Sequence, residues 1–176
     1  FLLSMPVLLL AVGPAFLLHE IGHKIVAKKN GCWAEFRADP GGLRFGIFLS
    51  FFIGILFMAP GAVMVAGLVT RRQNGHIAIA GPLVNFGLFP VGIPLWGVIL
   101  GLTNAFETVD TEAAYLVGSQ LNWQKMLIDA GVFWVWANLV LGLFNMLPFG
   151  PLDGNKVKDW NENAFYATIS VFGILV

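Results

Sequence analysis

The chain has 176 residues, 57% of them hydrophobic and only 11% charged, with a mean hydropathy of +0.79. Soluble domains carry roughly 25% charged residues, so there are too few charges here to cover a water-facing surface, and a soluble globular fold is excluded. Ten Lys and Arg balance ten Asp and Glu, which leaves no basic excess for nucleic acid, and a single cysteine, Cys32, excludes a disulfide framework or a Cys-rich metal site. The length predicts one domain over residues 1–176. The start at Phe1 and the end inside an apolar run read as a core cut from a longer protein at both ends.

Residues 1–18 carry no charge. A crossing helix needs about 20 apolar residues, each rising about 1.5 Å through a core about 30 Å thick, so this stretch reads as a first span. A signal peptide does not fit, because the apolar run is too long and leads straight into His19-Glu20-Ile21-Gly22-His23. Next, Trp33, Glu35 and Arg37 alternate with Ala34, Phe36 and Ala38. That alternation, followed by Asp39-Pro40-Gly41-Gly42, predicts a small membrane-associated hairpin of residues 32–39 with 43–48. Residues 62–66, between Gly61 and Gly67, read as a further short strand.

Residues 45–70 are also uncharged, but Ala59-Pro60-Gly61 divides them. Residues 45–58 would make a helix of about 21 Å, short for a crossing. Lys24, Lys28, Lys29, Arg37 and Arg44 precede this stretch, and Arg71 and Arg72 follow it. Lys and Arg favour cytoplasmic loops, so both ends lie on one side and the segment is read as re-entrant. Irregular backbone at that depth requires surrounding protein or a wet cavity.

Residues 77–106 form the next uncharged span, with Gly81-Pro82-Leu83-Val84-Asn85 near its start. Residues 103–123 hold Glu107, Asp110 and Glu112 without Lys or Arg and read as the outer loop. Lys125 then stands at the outer end of a helix, snorkelling. Residues 130–152 form another span, after which Lys156 and Lys158 return the chain to the cytoplasm. A further span begins near Asn161. The fold class is therefore a mainly α, polytopic membrane protein with a helical transmembrane core.

The chemistry concentrates at one depth, near the cytoplasmic face. His19 and His23, at i and i+4 of a helix, share a face and can grip one ion. Glu20 stands beside that face, where it can polarise a water on the ion. Zinc suits two imidazoles and an oxygen, with one open position. Asp153 is a candidate for the oxygen ligand, and equally for the N-cap of the following helix. His76, beside Arg71, Arg72 and Asn74, reads as a solvated loop residue. Asn85 serves either an interhelical hydrogen bond or a functional role.

His19 to His23, Gly81 to Asn85, and Asn145-x-x-Pro148 leading to Leu152-Asp153-Gly154 together resemble the site-2 protease family of intramembrane zinc metalloproteases, of prokaryotic or archaeal type. The resemblance covers the chain from His19 to Gly154 in order and spacing. It implies that His19, His23 and Asp153 bind one zinc ion and that Glu20 is the general base. It also implies that Asn145 lies in the active site, holding substrate or the developing oxyanion, and that Asn85 contacts substrate. It further implies a membrane-embedded β-structure beside the site and a transmembrane protein as substrate, within the lipid bilayer of the cell membrane, the site facing the cytoplasm. Two other readings of the residues stand beside it. Intramembrane His and Asp also mark metal-ion or solute transporters and channels, although a conduit has no use for Glu20. A homologue that binds membrane helices without cutting is the other.

Overall fold

The computed structural model describes residues 2–38, 40, 44, 61–105 and 114–176. Among these, helix α1 spans Ser4–Lys29. Its buried residues include Val7, Ala11, Ala15, His19, His23 and Ala27, every fourth position, which forms one ridge along the helix. Three of the six are alanines, so a neighbouring helix can come close. The helix stops at Asn30, whose amide returns a bond to the Val26 carbonyl at 2.8 Å. Gly31 takes φ +75°, and the Cys32 N–H closes onto the Ala27 carbonyl. A side chain rarely adopts that φ, which is why glycine ends the helix.

The chain then forms β1 (Trp33–Ala38), which pairs antiparallel with β2 (Gly61–Ala66) from Trp33↔Ala66 to Ala38↔Gly61. Cys32 and Ala34 are buried while Trp33 and Glu35 are exposed, the alternation expected of a strand with one covered face. Cys32 and Ala34 pack with Ala27 and Ile77, and both strands lie against α1. The strand at 62–66 is as expected from sequence. It is the partner β1 uses, whereas residues 43–48, expected to complete the hairpin, lie almost wholly outside the described residues, as does the re-entrant segment.

Helix α2 (Arg71–Leu102) opens with a reciprocal cap: Thr70 accepts from the Gln73 N–H, and the Gln73 side chain accepts from the Thr70 N–H. The helix starts before the uncharged stretch, so Arg71, Arg72 and His76 stand on a helix rather than in a loop. After it comes a small ribbon of β3 (Leu116–Val117) and β4 (Gln120–Leu121).

Helix α3 (Trp123–Asn145) is capped by Asn122, which accepts from the Lys125 N–H at 3.1 Å. Lys125 stands at the outer end of this helix, as expected, but the helix begins before the uncharged stretch at 130. Lys125 and Asp129 sit in its first two turns, where Lys125 Nζ lies 2.8 Å from Asp129 Oδ1. Paired at i and i+4, they neutralise one another inside the helix, and Lys125 is 16% exposed rather than snorkelling. The helix ends at Asn145, before Pro148, and not at 152. Ala130, Trp134, Asn138 and Gly142 are buried at every fourth position. Trp134 stacks on the bare face of Gly92, and Gly142 receives the Phe172 ring.

Helix α4 (Asp153–Trp160) and helix α5 (Glu162–Leu175) complete the chain. Asn161 caps α5 by accepting from the Ala164 N–H, so a helix does begin where the further span was expected. Helices α1, α2 and α3 pack against one another pairwise, α4 lies on α2, and α5 lies on α3 and α4. The three long helices are each long and apolar enough to cross a membrane, and only 22–33% of their most apolar windows is buried within the chain. The remaining surface, including Leu9, Leu17, Val98 and Val140, is apolar and exposed. Such faces need lipid, so the chain is a multi-pass membrane protein.

Candidate metal centre

The ridge of α1 presents His19 and His23 inward, 2% and 7% exposed. Their Nε2 atoms are 3.1 Å apart. Asp153, the first residue of α4, reaches across the bundle: its Oδ2 lies 3.3 Å from His19 Nε2 and 3.1 Å from His23 Nε2. The N-cap of α4 is Leu152, so the Asp153 carboxylate serves the histidines and not the helix end. Glu20 is buried beside them, and its carboxylate and the two imidazoles place ligand atoms within 4.8 Å of one another.

The far side of each imidazole is fixed. His23 Nδ1 lies 2.7 Å from the Ile77 carbonyl. A carbonyl only accepts, so Nδ1 carries the proton and donates. His19 Nδ1 lies 2.6 Å from Asn85 Oδ1, and Asn85 Nδ2 donates to the Ala15 carbonyl at 3.1 Å and to Asn138 Oδ1 at 2.9 Å. Both rings therefore leave Nε2 as a lone pair directed at Asp153. Three lone-pair atoms within 3.3 Å of one another repel unless a cation lies among them. Atoms about 2.05 Å from a tetrahedral ion are roughly 3.3 Å apart, which matches this triangle.

Two glycines make the room. A Cβ on Gly81 would lie 2.5 Å from the Nε2 of His19 and of His23, in the space an ion needs. A Cβ on Gly154 would run into the Met146 and Leu147 carbonyls, so only glycine lets the start of α4 rest on the end of α3 and hold Asp153 in place. Burial opposes ionisation of Asp153. With no ion among the three atoms, a proton on a facing Nε2 donates to Asp153, and this outweighs burial and holds its carboxyl well below the usual carboxylate range. Its other oxygen faces Lys156 Nζ at 3.6 Å. The donor set, its spacing and the cradle at Gly81 all fit zinc.

Asn85 is wholly buried, with its amide engaged on both sides. No face of it is left for a substrate. Asn145 is half-buried and donates to the Leu141 carbonyl at 3.0 Å. Among the described residues no hydrogen bond joins it to His19, His23 or Asp153. His76 packs edge-on against Trp160, ring centres 4.6 Å apart, and takes no part in the cluster. Asn138, 0% exposed, was missed from sequence. Its signal was present: it is the only amide in the otherwise apolar run 130–144.

Peptidase family M50 matches residues 7–160. Two proteins of Methanocaldococcus jannaschii named as zinc metalloproteases are similar to this chain. One, MJ0611, is 40% identical over 154 residues, 87% of this chain and 69% of the relative; the other, MJ0392, is 26% identical over 151 residues, 86% of this chain and 33% of the relative. The zinc metalloprotease YwhC of Bacillus subtilis is 30% identical over 161 residues, covering 87% of this chain and 68% of the relative. No solved structure matches the chain. The relatives lend no support to a transporter. With a matched region running from the start of the first buried ridge past Asp153, the chain belongs to peptidase family M50, the site-2 protease family of zinc metalloproteases.

Proposed function

We propose that the chain, as a single core over residues 1–176, is an intramembrane zinc endopeptidase of the HExxH type that cuts membrane-spanning proteins. One observation carries this reading: His19, His23 and Asp153 converge on a common point with Glu20 beside them, inside an apolar three-helix core. His19 lies ten residues, about 15 Å, from the end of α1 at Lys29, well within a hydrocarbon core about 30 Å thick.

In this reading His19, His23 and Asp153 hold the ion through Nε2, Nε2 and Oδ2. When bound, zinc polarises the scissile carbonyl and acidifies the attacking water. Glu20 is the base: its carboxylate accepts the proton of that water and delivers it to the departing amine. Ile77 and Asn85 hold the imidazoles in the ligating tautomer, so Asn85 is a positioning residue here. Asn145 contacts the substrate by exchanging its bond to Leu141, at the last turn of α3. Lys28 and Lys29 at the end of α1, Arg71 and Arg72 at the start of α2, and Lys156 and Lys158 on α4 all flank the same end of the bundle. Positive charge favours the cytoplasm, so the centre faces the cytoplasmic side of the cell membrane.

The test is reconstitution in liposomes with a single-span protein substrate, comparing wild type, wild type with a zinc chelator, and Glu20→Gln. Cleavage by wild type alone is expected. Glu20→Gln should retain one zinc per chain and lose at least about 100-fold in rate, the usual worth of a general base. Equal cleavage by Glu20→Gln would overturn the assignment.

A further inference from the structure

Four polar groups form one line across the bundle. Trp134 offers its carbonyl to Asn138 Nδ2 at 2.8 Å, Asn138 Oδ1 accepts from Asn85 Nδ2 at 2.9 Å, and Asn85 Oδ1 meets His19 Nδ1 at 2.6 Å. Asn138 and Asn85 are both 0% exposed. We infer that Asn138, on α3, is a positioning residue that sets the tautomer of His19 through Asn85 and so keeps His19 Nε2 free to bind metal. The inference rests on the reading of His19 as a ligand.

The direction of the line follows from its ends. A backbone carbonyl can only accept, so the Trp134 carbonyl draws Asn138 Nδ2 and turns Asn138 Oδ1 toward Asn85. The two N–H bonds of Asn85 then each have an acceptor, the Ala15 carbonyl and Asn138 Oδ1. Asn85 Oδ1 is left for His19, which must donate from Nδ1. Reversing the Asn85 amide would set an oxygen against two acceptors and an N–H against His19 Nδ1. The imidazole proton would then sit on Nε2, the atom that faces Asp153 and His23. Buried amides without partners are costly, and Asn85 and Asn138 are both wholly buried.

His23 shows why His19 needs such a device. His23 Nδ1 donates directly to the Ile77 carbonyl, which cannot reverse its polarity. His19 instead donates to a side-chain amide, which can flip. Asn138 supplies one of the two acceptors that forbid the flip. Because α1, α2 and α3 each contribute a member, the same line registers the three helices at the depth of the centre.

The experiment uses the full chain in detergent with labelled histidine nitrogens; the chain has only three histidines. Nitrogen NMR after zinc removal, recorded at a pH high enough that both imidazoles are neutral, reports the tautomer of each ring, and competition with a chelating dye reports the zinc Kd. The variants are Asn138→Leu, which deletes both bonds at similar size, and Asn138→Asp. A buried, protonated Asp retains one donor for Trp134 and one acceptor for Asn85. In wild type both His19 and His23 should carry the proton on Nδ1. In Asn138→Leu, His19 should divide between tautomers while His23 is unchanged, and the zinc Kd should rise about tenfold, the lower end of the usual cost of a supporting hydrogen bond at a metal site. Asn138→Asp should restore the His19 tautomer and bring Kd within about threefold of wild type.

His19 remaining wholly on Nδ1–H in Asn138→Leu, with Kd within about threefold, would overturn the inference. So would a joint change in His19 and His23, which marks a loosened bundle. If Asn138→Leu does not fold, Asn138→Asp decides: His19 leaving the Nδ1–H form overturns the inference and keeping it supports it. Wild type with the stated tautomers but no zinc binding would sink the metal reading and leave the line of hydrogen bonds standing.

Discussion

Gly81 on α2 faces His19 on α1 so closely that a Cβ at position 81 would lie 2.5 Å from His19 Nε2 and equally close to His23 Nε2. In the proposed centre, the missing side chain leaves the room that an ion would take. Gly81→Ala should fold, since alanine is about 1 kcal/mol better than glycine in a helix interior. It should also reduce bound zinc from one per chain to below about a tenth, measured by elemental analysis of purified protein. Gly97→Ala, on the same helix with open space around its Cβ, should leave zinc content unchanged. Full zinc occupancy in Gly81→Ala would show that the ion sits elsewhere.

Gly154→Ala keeps every proposed ligand but puts a methyl against the Met146 and Leu147 carbonyls. The start of α4 must then shift, and Asp153 with it. If Asp153 is a ligand as proposed, displacing it should raise the zinc Kd about 10–100-fold, the range for disturbed support of a metal site. Competition with a chelating dye would detect it.

Asp153 has a depressed carboxyl in the folded chain. Its ionised form therefore contributes stability above the ordinary carboxylate value near 3.9, and that contribution is lost as pH falls through the lowered folded value. In zinc-free protein, Asp153→Asn should melt below wild type at about pH 5, where protonated imidazoles face the carboxylate. The margin should close only below about pH 4. Thermal melts from about pH 5 downward test it, and the lack of any margin at about pH 5 would count against the assignment.

At the opposite end of α3, Tyr115 donates to Asp129 Oδ2 at 2.8 Å, and Lys125 pairs with the same carboxylate. Burial and then Asp129 push the Tyr115 phenol up to about 12. Asp129→Asn should move its ultraviolet titration midpoint part of the way back toward about 10, because burial persists.

The same cluster predicts an asymmetry in stability. Lys125→Met alone leaves a largely buried carboxylate without its counter-charge, held only by the Tyr115 hydroxyl among the bonds described, and should cost about 2 kcal/mol, discounted for its partial exposure. Lys125→Met with Asp129→Leu should lie within about 1 kcal/mol of wild type. Denaturation in detergent would resolve the difference.

Much of the centre was legible because it is local. His19 and His23 share a face through helix geometry alone, and Asp153-Gly154 followed a recognisable run. Spans were legible where charge was absent. At α3 charge counting put Lys125 at the outer end of the helix but began the uncharged span only at 130, since Lys125 and Asp129 cancel one another and sit inside the helix. It also misread His76, which the Thr70–Gln73 cap draws into α2.

By itself the sequence determined the apolar helices, the paired histidines with their neighbouring glutamate, and the strands at 33–38 and 62–66. These depend on spacing of a few residues and on the energy of placing charge in lipid. Only the tertiary structure decided that Asp153 meets the histidines, that Asn85 and Asn138 stand behind His19, and that β1 pairs with β2. Those contacts join residues far apart in the chain: 66 positions separate His19 from Asn85, and Asp153 lies further still from His19. They exist because small residues such as Gly22, Gly81 and Gly154 let particular helix faces touch, and no local periodicity encodes which faces those are.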